Sequence, residues 1–336
     1  MTFEVMTGHR GICLDSTIER CAASCQSLVP VAESSMGEVV NTETDLGSHT
    51  GLLTPNERHF RRNNFPYPES WPGLLVEPGS RLSLSDLKRF ETRELVVTLE
   101  CAGNGRAFLD PPVPGEQWGL GAVSTARWGG APLVRLLPDL PDWAVEIGFE
   151  GADGFVRSLP IEMARHPDVL LATTMNGEPL PREHGGPVRL LVPGWYGMAS
   201  VKWLTAIRAL REPFQGHFQV ERYVIDDRPV REMQVRAVIT QAGPGQARGY
   251  AWSGQGAVSA VEVSDDGGVT WFPAELKESA PPYGWTRWEA GWKPGGSGAT
   301  QLLARAHDSA GNRQPLEQVW NTLGYCNNAV RPYAIS

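Results

Sequence analysis

The chain has few cysteines for its length of 336 residues. The five are Cys13, Cys21, Cys25, Cys101 and Cys326, an odd and widely scattered set that does not indicate a disulfide framework. Cys21 and Cys25 lie close together, but no second Cys or His pair at zinc-finger spacing accompanies them. We therefore expect ordinary thiols in an N-terminal arm rather than a zinc site.

Long apolar runs are missing too. No run approaches the roughly 18–20 residues that a membrane-spanning helix requires. The start of the sequence contains neither an uninterrupted apolar segment nor a twin-arginine pair, so it does not resemble an export signal. Taken as it stands, the sequence predicts a protein without a membrane span that works in the cytoplasm.

Basic charge is outnumbered by acidic charge. The 30 Lys and Arg residues stand against 38 Asp and Glu, which gives a formal net charge of −8. This balance argues against broad binding to the phosphate backbone of nucleic acids. What the sequence does have is a globular composition, 41% hydrophobic, with many loop-forming residues (37 Gly and 27 Pro). The chain is long enough for two domains, each with its own core.

The pattern of apolar and polar residues changes after about residue 230. From Val235 onward, short alternating runs are separated by turn signals such as Asp266-Gly267-Gly268, which predicts a small antiparallel β-sandwich. We place the boundary within 213–230, because that stretch is dense in charge and proline. The predicted organisation is an N-terminal extension at 1–45, a first domain at 46–225 and a β-sandwich at 230–336.

Local patterns predict several elements before that boundary. The segment 80–90 predicts a short helix with Ser83 or Ser85 as its N-cap. Runs of apolar and β-branched residues at 95–99 and 188–192 predict two buried strands. Each of these strands leads into a loop that contains glycine, where a rigid element can aim a reactive side chain.

Several segments, in the same order, resemble the sulfite oxidase family over roughly residues 50–335. The catalytic part is similar through LLTPNERHFRRNNFPYP, ECAGNGR, GAVSTARW and PREHGGPVRLLVPGWYGMASVKWL, and the C-terminal part through GYAWSGQGAVSAVEVSDDGGVTW. The resemblance implies an α+β molybdopterin-binding domain of the sulfite oxidase type, followed by an all-β immunoglobulin-like sandwich. It also implies a homodimer formed through the C-terminal domain, where Trp side chains are candidates for an apolar contact surface.

Cys101 is the candidate metal ligand. A lone cysteine is usually a small buried hydrophobe. A thiolate at a strand end, beside glycines that allow close approach, nevertheless suits a soft metal. The resemblance implies that Cys101 is the single protein ligand to molybdenum, beside the dithiolene of the pterin.

The resemblance also implies three catalytic side chains, namely Arg62, Arg106 and Tyr223. A planar guanidinium donates parallel hydrogen bonds to two oxygens of a small oxyanion, and a phenol can relay a proton. The sequence departs from the family pattern at Asn64, where His is frequent, and at Gly105, where a second Arg is frequent. These departures bear on the substrate more than on the cofactor.

A larger set of residues is implied to bind the molybdenum cofactor. Its members share donor groups suited to a phosphate or to a polar ring, because Lys, Arg and His are sensible phosphate partners. They are Arg62, Asn63, Asn64, Cys101, Ser124, Thr125, Asp153, His184, Arg189, Ser200 and Lys202.

The activity implied is the oxidation of sulfite to sulfate by oxygen-atom transfer. No segment resembles a b5-type haem domain, so we expect no haem and an external electron acceptor. Reduction of nitrate, or of a sulfoxide or N-oxide, is the alternative on the same scaffold. From the residues alone, a Cys-dependent hydrolase with Cys101 as nucleophile and His184 as base is a second enzyme class. A non-enzymatic adhesion module built on the C-terminal β-domain is a third reading.

Overall fold

The structure is a computed structural model that describes residues 38–335, apart from residues 78, 80, 138–139, 244, 278–281 and 293–300. The expectation for Cys13, Cys21 and Cys25 falls outside the described residues, as does most of the extension predicted at 1–45. Ordered contacts begin within the extension predicted at 1–45, because Thr42 exchanges backbone hydrogen bonds of 2.9 Å with Arg61.

Two five-stranded sheets form the part of the chain that precedes Pro213. Its strands are β1 (Leu74–Val76), β2 (Arg81–Leu82), β3 (Arg93–Glu100), β4 (Val123–Pro132), β5 (Glu146–Gly151), β6 (Val156–Pro160), β7 (Leu170–Met175), β8 (Glu178–Pro179), β9 (Arg189–Leu191) and β10 (Leu204–Leu210). One sheet has the order β3–β4–β7–β8, with β9 also paired to β7, and the other has the order β2–β1–β10–β5–β6. The two buried strands predicted from apolar runs are confirmed as β3 and β9.

Helices contribute little to this fold. In the described residues the α-helices have four residues each: α1 (Leu84–Leu87), α2 (Ile161–Ala164) and α3 (His217–Val220). The predicted N-cap is confirmed at Ser83, whose hydroxyl accepts from the Asp86 N–H while the Asp86 carboxylate accepts from the Ser83 N–H. The α component of the predicted α+β class is thus small. No helix among the described residues has the length and apolar character to cross a membrane.

The second part of the chain is antiparallel β structure, as its alternating pattern predicts. Its strands are β11 (Val224–Ile225), β12 (Arg228–Pro229), β13 (Arg236–Gly243), β14 (Gln246–Trp252), β15 (Val258–Ser264), β16 (Phe272–Pro273), β17 (Glu275–Leu276), β18 (Thr286–Gly291), β19 (Gln301–Asp308) and β20 (Tyr333–Ala334). Two four-stranded sheets, β13–β14–β18–β17 and β16–β15–β19–β20, contribute side chains to one apolar core. Alternate residues of β19 point into that core.

Most tryptophans of the second part fill its interior rather than a surface. Trp252, Trp285, Trp288 and Trp292 are all buried, whereas Trp320 is 43% exposed. Trp252 and Trp285 belong to a core cluster that also contains residues of the catalytic part. The expectation that these indoles form an apolar surface for a second chain is therefore wrong for these four residues, because their area is already buried within one chain.

The two parts also meet through backbone and side-chain hydrogen bonds at β3. The Tyr283 carbonyl accepts from the Thr98 N–H at 2.8 Å, and the Tyr283 hydroxyl donates to Asp168 Oδ2 at 2.8 Å. Trp252 Nε1 donates to Glu100 Oε2 at 2.9 Å. The second part thus holds the edge of the strand that leads into Cys101.

Candidate active site

Cys101 lies at the end of β3 and lines a cavity within the catalytic part. Its backbone N–H donates to the Ala122 carbonyl at 2.8 Å, which fixes the start of the loop, and the residue is only 7% exposed. Burial raises the pKa of the Cys101 thiol, and the positive charges of Arg62 and Arg106 act in the opposite direction. A bound cation would favour the thiolate further.

Most of the predicted cofactor residues converge on this inner cavity. The lining includes Arg62, Asn63, Asn64, Cys101, Asp153, His184, Arg189, Ser200, Lys202 and Tyr223. These residues come from five separate stretches of chain: the loop before β1, the end of β3, the turn between β5 and β6, the region that includes and flanks β9, and the residue before β11. The sequence motifs therefore describe one site.

Ser124 and Thr125 are not in that lining. Both are fully buried, and their hydroxyls bond within the protein. The Ser124 hydroxyl accepts from the Phe60 N–H at 2.9 Å and pairs with Thr44 Oγ1 at 2.5 Å, while Thr125 Oγ1 pairs with Thr98 Oγ1 at 2.5 Å. The expectation that these two side chains donate to the cofactor is not supported. Ser124 instead anchors the loop that carries Arg62.

The inner cavity is rich in cations. Arg189 donates to the carbonyls of His184 and Ser200 at 2.9 and 3.0 Å, and its Nε is buried without a partner. Lys202 Nζ donates to the Arg62 carbonyl at 3.0 Å and also contacts Asn63 Oδ1. Among the described residues, no carboxylate lies within ion-pair distance of Arg62, Arg189 or Lys202, although the charge of Asp153 in the same lining acts to raise the pKa of Lys202. Burial lowers the pKa of Arg189 to about 9 and that of Lys202 well below its usual value.

This arrangement fits a cofactor with an anionic group and its own metal donors. Unpaired buried cations are costly unless an anion compensates them. In the described part of the chain, no group of three His, Cys, Asp or Glu side chains is placed to hold a metal ion. A metal bound at Cys101 would need its remaining donors from the molecule that carries it, as a pterin dithiolene would supply. The residues present fit the molybdenum cofactor.

A second, outer cavity meets the inner one at Cys101. The two share Arg62, Asn64, Cys101 and Tyr223. The remaining wall of the outer cavity comes from both parts of the chain: Arg106, Pro114, Gly115, Glu116, Phe218, Arg222, Leu323 and Tyr325. It is open to solvent, so it forms a vestibule in front of the cysteine.

Arg106 is held rigidly in the wall of this vestibule. Its Nε and Nη2 donate to the Leu323 carbonyl at 3.2 and 3.0 Å, and its Nη1 donates to the Glu116 carbonyl at 2.9 Å. A Cβ atom at Gly103 would lie 2.5 Å from Nη1, and one at Gly324 would lie 2.9 Å from Nε. These glycines therefore leave the space that the guanidinium occupies.

The backbone explains why glycine stands at position 105. Gly105 has φ +85°, a left-handed conformation that disfavours other residues, and a Cβ there would lie 2.9 Å from the Asn327 carbonyl. Arg236 Nη1 would be 3.4 Å from the same Cβ. This cation is not free for a substrate, because its Nε lies 3.4 Å from Glu100 Oε1 in a fully buried ion pair.

Sequence reasoning missed three residues at the site. His59 lines the inner cavity, while Arg222 and Tyr325 line the vestibule. His59 lies three positions before Arg62, inside a motif that resembles the family, and Arg222 directly precedes Tyr223. For these two residues, closeness in sequence to a candidate site residue was the available signal. Tyr325 stacks on Tyr223, with ring centroids 5.1 Å apart, and carried no local signal at all.

Two family models together match residues 72–335 of the chain. The oxidoreductase molybdopterin binding domain matches residues 72–218, and the Mo-co oxidoreductase dimerisation domain matches residues 216–335. Among solved structures, the chain is similar to the sulfane dehydrogenase SoxCD from Paracoccus pantotrophus, with a TM-score of 0.77 and 28% identity over 91% of this chain and 86% of that one.

Curated relatives support the same assignment. The chain is 38% identical to chicken sulfite oxidase, covering 83% of this chain and 72% of the relative, and 37% identical to the mouse mitochondrial enzyme. It spans only 60% of the length of the mouse protein. An NADH nitrate reductase from Cichorium intybus is 32% identical, with 37% of its length covered. These matches leave no support for the hydrolase and adhesion readings. With its molybdopterin-binding domain, the chain belongs to the sulfite oxidase family.

Proposed function

We propose that this chain is a molybdenum enzyme that oxidises sulfite to sulfate and passes the electrons to an external acceptor. The observation that carries the proposal is the junction of the two cavities at Cys101. On one side lies a cationic cavity suited to the cofactor, and on the other lies a vestibule with arginines suited to an oxyanion. The names of the chicken and mouse relatives favour sulfite as that oxyanion.

The proposed cofactor contacts follow from the inner cavity. Cys101 is the single protein ligand to the metal, and Arg189, Lys202 and His184 lie where they can hold the phosphate and the polar edges of the pterin. When bound, the cofactor supplies two-electron oxygen-atom transfer, in which sulfite and water yield sulfate, two protons and two electrons. Asp153 accepts from the Phe155 N–H at 3.2 Å, which keeps its carboxylate at the cavity wall.

Arg106 and Arg62 are proposed to bind the oxyanion. A guanidinium has five N–H groups, so the three hydrogen bonds of Arg106 to carbonyls leave one N–H free on each terminal nitrogen. These two donors are held in a fixed plane, which favours two oxygens of one anion. Arg222 is exposed at the mouth of the vestibule, and its charge attracts anions over the distance of the screening length.

Tyr223 is proposed to donate a hydrogen bond to the oxyanion and to relay protons. Its hydroxyl lies 3.3 Å from Asn64 Nδ2 and 3.4 Å from Asn64 Oδ1, at the border of both cavities. The Arg157 guanidinium lies 5.8 Å from the centre of the Tyr223 ring, and the ring stacks on Tyr325. These contacts orient the phenol while leaving its oxygen at the cavity surface.

The C-terminal part is proposed to be an immunoglobulin-like sandwich that forms a homodimer. Its two packed antiparallel sheets and the match to a dimerisation domain support this reading. Reduction of nitrate remains the second candidate function, favoured by the match to the chicory enzyme and by the missing charge at Gly105. The sulfite oxidases align at higher identity, which favours sulfite.

The test is a pair of assays on the purified, cofactor-loaded protein. We expect about one molybdenum per chain, a pterin released on denaturation, and turnover of sulfite with ferricyanide as acceptor. The comparison assay measures the reduction of nitrate with a reduced viologen as electron donor. A fully loaded protein that reduces nitrate faster than it oxidises sulfite would overturn the proposed substrate. A fully active preparation without molybdenum would overturn the enzyme class.

A further inference from the structure

His59 is a buried imidazole in the wall of the inner cavity, and the proposed function assigns it no role. It follows the short 3-10 turn Asn56–Arg58 and is 2% exposed. Its ring stacks on Phe60, with centroids 5.3 Å apart and planes 18° from parallel, and meets Trp128 edge-on at 5.8 Å. The His184 ring lies 5.1 Å away on a third side. The imidazole is therefore held in one orientation.

The hydrogen bond made by Nδ1 of His59 determines the tautomer of the ring. Its Nδ1 lies 3.1 Å from the Phe60 carbonyl oxygen, which can only accept, so Nδ1 carries the proton. Burial, together with the charges of His184 and Arg189, lowers the pKa of His59 well below its usual value, so the ring is neutral. In a neutral imidazole whose Nδ1 is protonated, Nε2 is an acceptor.

That acceptor has no partner among the residues that the structure describes. His59 Nε2 is buried and makes no hydrogen bond to any described residue. A buried polar atom left in this state is costly unless a bound group satisfies it. Phosphate oxygens are acceptors as well, so they cannot fill this role. The matching partner is a group that carries an N–H, and a pterin ring offers such donors at its amino group and ring nitrogens.

We propose that His59 binds the cofactor directly, by accepting a hydrogen bond at Nε2 from an N–H group of the pterin. The cavity then recognises two chemistries at once. Arg189 and Lys202 donate to the anionic group, and His59 accepts from the pterin. This inference rests on the proposed cofactor site, but it is independent of which oxyanion the enzyme oxidises.

His59→Phe is the direct test, because phenylalanine keeps a flat ring of similar size and removes the acceptor. His59→Gln is the rescue variant, since its amide oxygen can reach a similar place. The measurement is the rate at which each loaded protein releases its pterin into excess buffer, followed by pterin fluorescence. We expect about threefold to tenfold faster release from His59→Phe, the range of one neutral hydrogen bond, and near wild-type release from His59→Gln.

His49→Phe is the matched control. His49 is also buried with an unpartnered Nε2, but it lines a different, small cavity beside Tyr250 and Arg248. We expect it to leave pterin release unchanged. The melting temperature of cofactor-free His59→Phe should stay close to that of cofactor-free wild type, because loss of the unsatisfied Nε2 acceptor offsets loss of the Nδ1 hydrogen bond to the Phe60 carbonyl. A residue with a purely structural role would lower that temperature without changing release.

The outcomes separate this inference from the proposed function. Equal pterin release from wild type and His59→Phe would overturn the role of His59 and leave sulfite oxidation standing. A loaded wild type that retains pterin in a His59-dependent way but does not oxidise sulfite would overturn the proposed substrate alone. A wild type that never carries a pterin would overturn both.

Discussion

At the scale of single residues, the site depends on side chains whose freedom the backbone has removed. Arg106 is the clearest case, since Gly103 and Gly324 leave room for its guanidinium and two carbonyls fix its plane. Little side-chain entropy then remains to be lost when an anion binds. A flexible cation at the same place would not have this advantage.

Replacement of Arg106 tests the oxyanion site. Arg106→Gln should raise KM for sulfite and lower kcat/KM by on the order of ten- to a hundredfold, because a hydrogen bond to a charged group contributes about 1.5–3 kcal/mol. Arg106→Lys should recover only part of this loss, since an ammonium lacks the planar pair of donors. Steady-state kinetics on variants matched for molybdenum content provide the measurement. Unchanged kinetics in Arg106→Gln would place the oxyanion elsewhere.

Replacement of Cys101 tests the metal ligand. Cys101→Ser should abolish turnover and the visible thiolate-to-metal absorption while the fold persists, because a hydroxyl replaces a soft thiolate. Cys326→Ser is the matched control, since Cys326 is the other free cysteine of the described chain and its N–H bonds to the Ala102 carbonyl nearby. The control should keep the absorption band. Retention of a tenth of the wild-type activity in Cys101→Ser would show that another residue binds the metal.

His184 makes a prediction about pH and stability. Burial lowers its pKa to about 4, from a usual value of 6.5. The unfolded chain therefore binds a proton between these values while the folded chain does not, so the stability of the fold is full above pH 6.5 and falls as the pH drops towards 4. The loss is on the order of 3 kcal/mol.

His184→Gln should flatten this dependence, because its amide can still donate to the Asn56 carbonyl that His184 Nε2 contacts at 2.7 Å. The measurement is the melting temperature of the cofactor-free protein from pH 7.5 to 4.5. His59 acts in the same direction, so the dependence should weaken without vanishing. A variant as acid-sensitive as wild type would contradict the assignment.

At the scale of elements, β3 and β13 are joined behind the cysteine. Glu100 ends β3 and Arg236 begins β13, and their ion pair is completed by Trp252 Nε1 and by Asn104 Nδ2, each 2.9 Å from a Glu100 oxygen. Burial raises the pKa of the Glu100 carboxyl in spite of Arg236. The pair thus binds the C-terminal part to the residue next to Cys101.

Replacement of either residue of this ion pair alone should lower the free energy of unfolding. Arg236→Gln or Glu100→Gln leaves one buried charge without its partner, which destabilises proteins by about 3–5 kcal/mol. The double variant should lose less than the sum of the two, because it leaves no uncompensated charge. Thermal unfolding of the four proteins forms a double-mutant cycle. Additive losses would mean that the two side chains do not interact.

Local elements could be predicted from the sequence, and long-range contacts could not. The apolar run of β3 and the cap at Ser83 depend on neighbouring residues, so their patterns are readable. The roles of Ser124 and Thr125 depend on the direction in which two fully buried hydroxyls point, which their residue types do not reveal. The pairing of Glu100 with Arg236 joins residues far apart in sequence. For the same reason, nothing marked Tyr325 as part of the vestibule.

At the scale of the whole molecule, the interior holds four tryptophans of the C-terminal part and leaves other apolar side chains exposed. In the C-terminal part, Val269 is 82% exposed and Leu316 is 47% exposed. Leu316 lies close to the residue that precedes Val269, since a Cβ at Gly268 would be 3.6 Å from Leu316 Cδ1. Exposed apolar groups that lie together in a dimerisation domain favour contact with a second copy of the chain.

We therefore expect a homodimer in which Val269 and Leu316 lie at or near the contact. A two-fold interface presents the same patch from both chains, so one charge added per chain brings two like charges together. The double variant Val269→Asp with Leu316→Asp should shift the protein towards monomer at micromolar concentration, measured by light scattering. Val145→Asp is the matched control, because Val145 is 44% exposed but belongs to the catalytic part. A wild type that scatters as a monomer would refute the homodimer. A double variant as dimeric as the control would instead move the interface to another face of the C-terminal part.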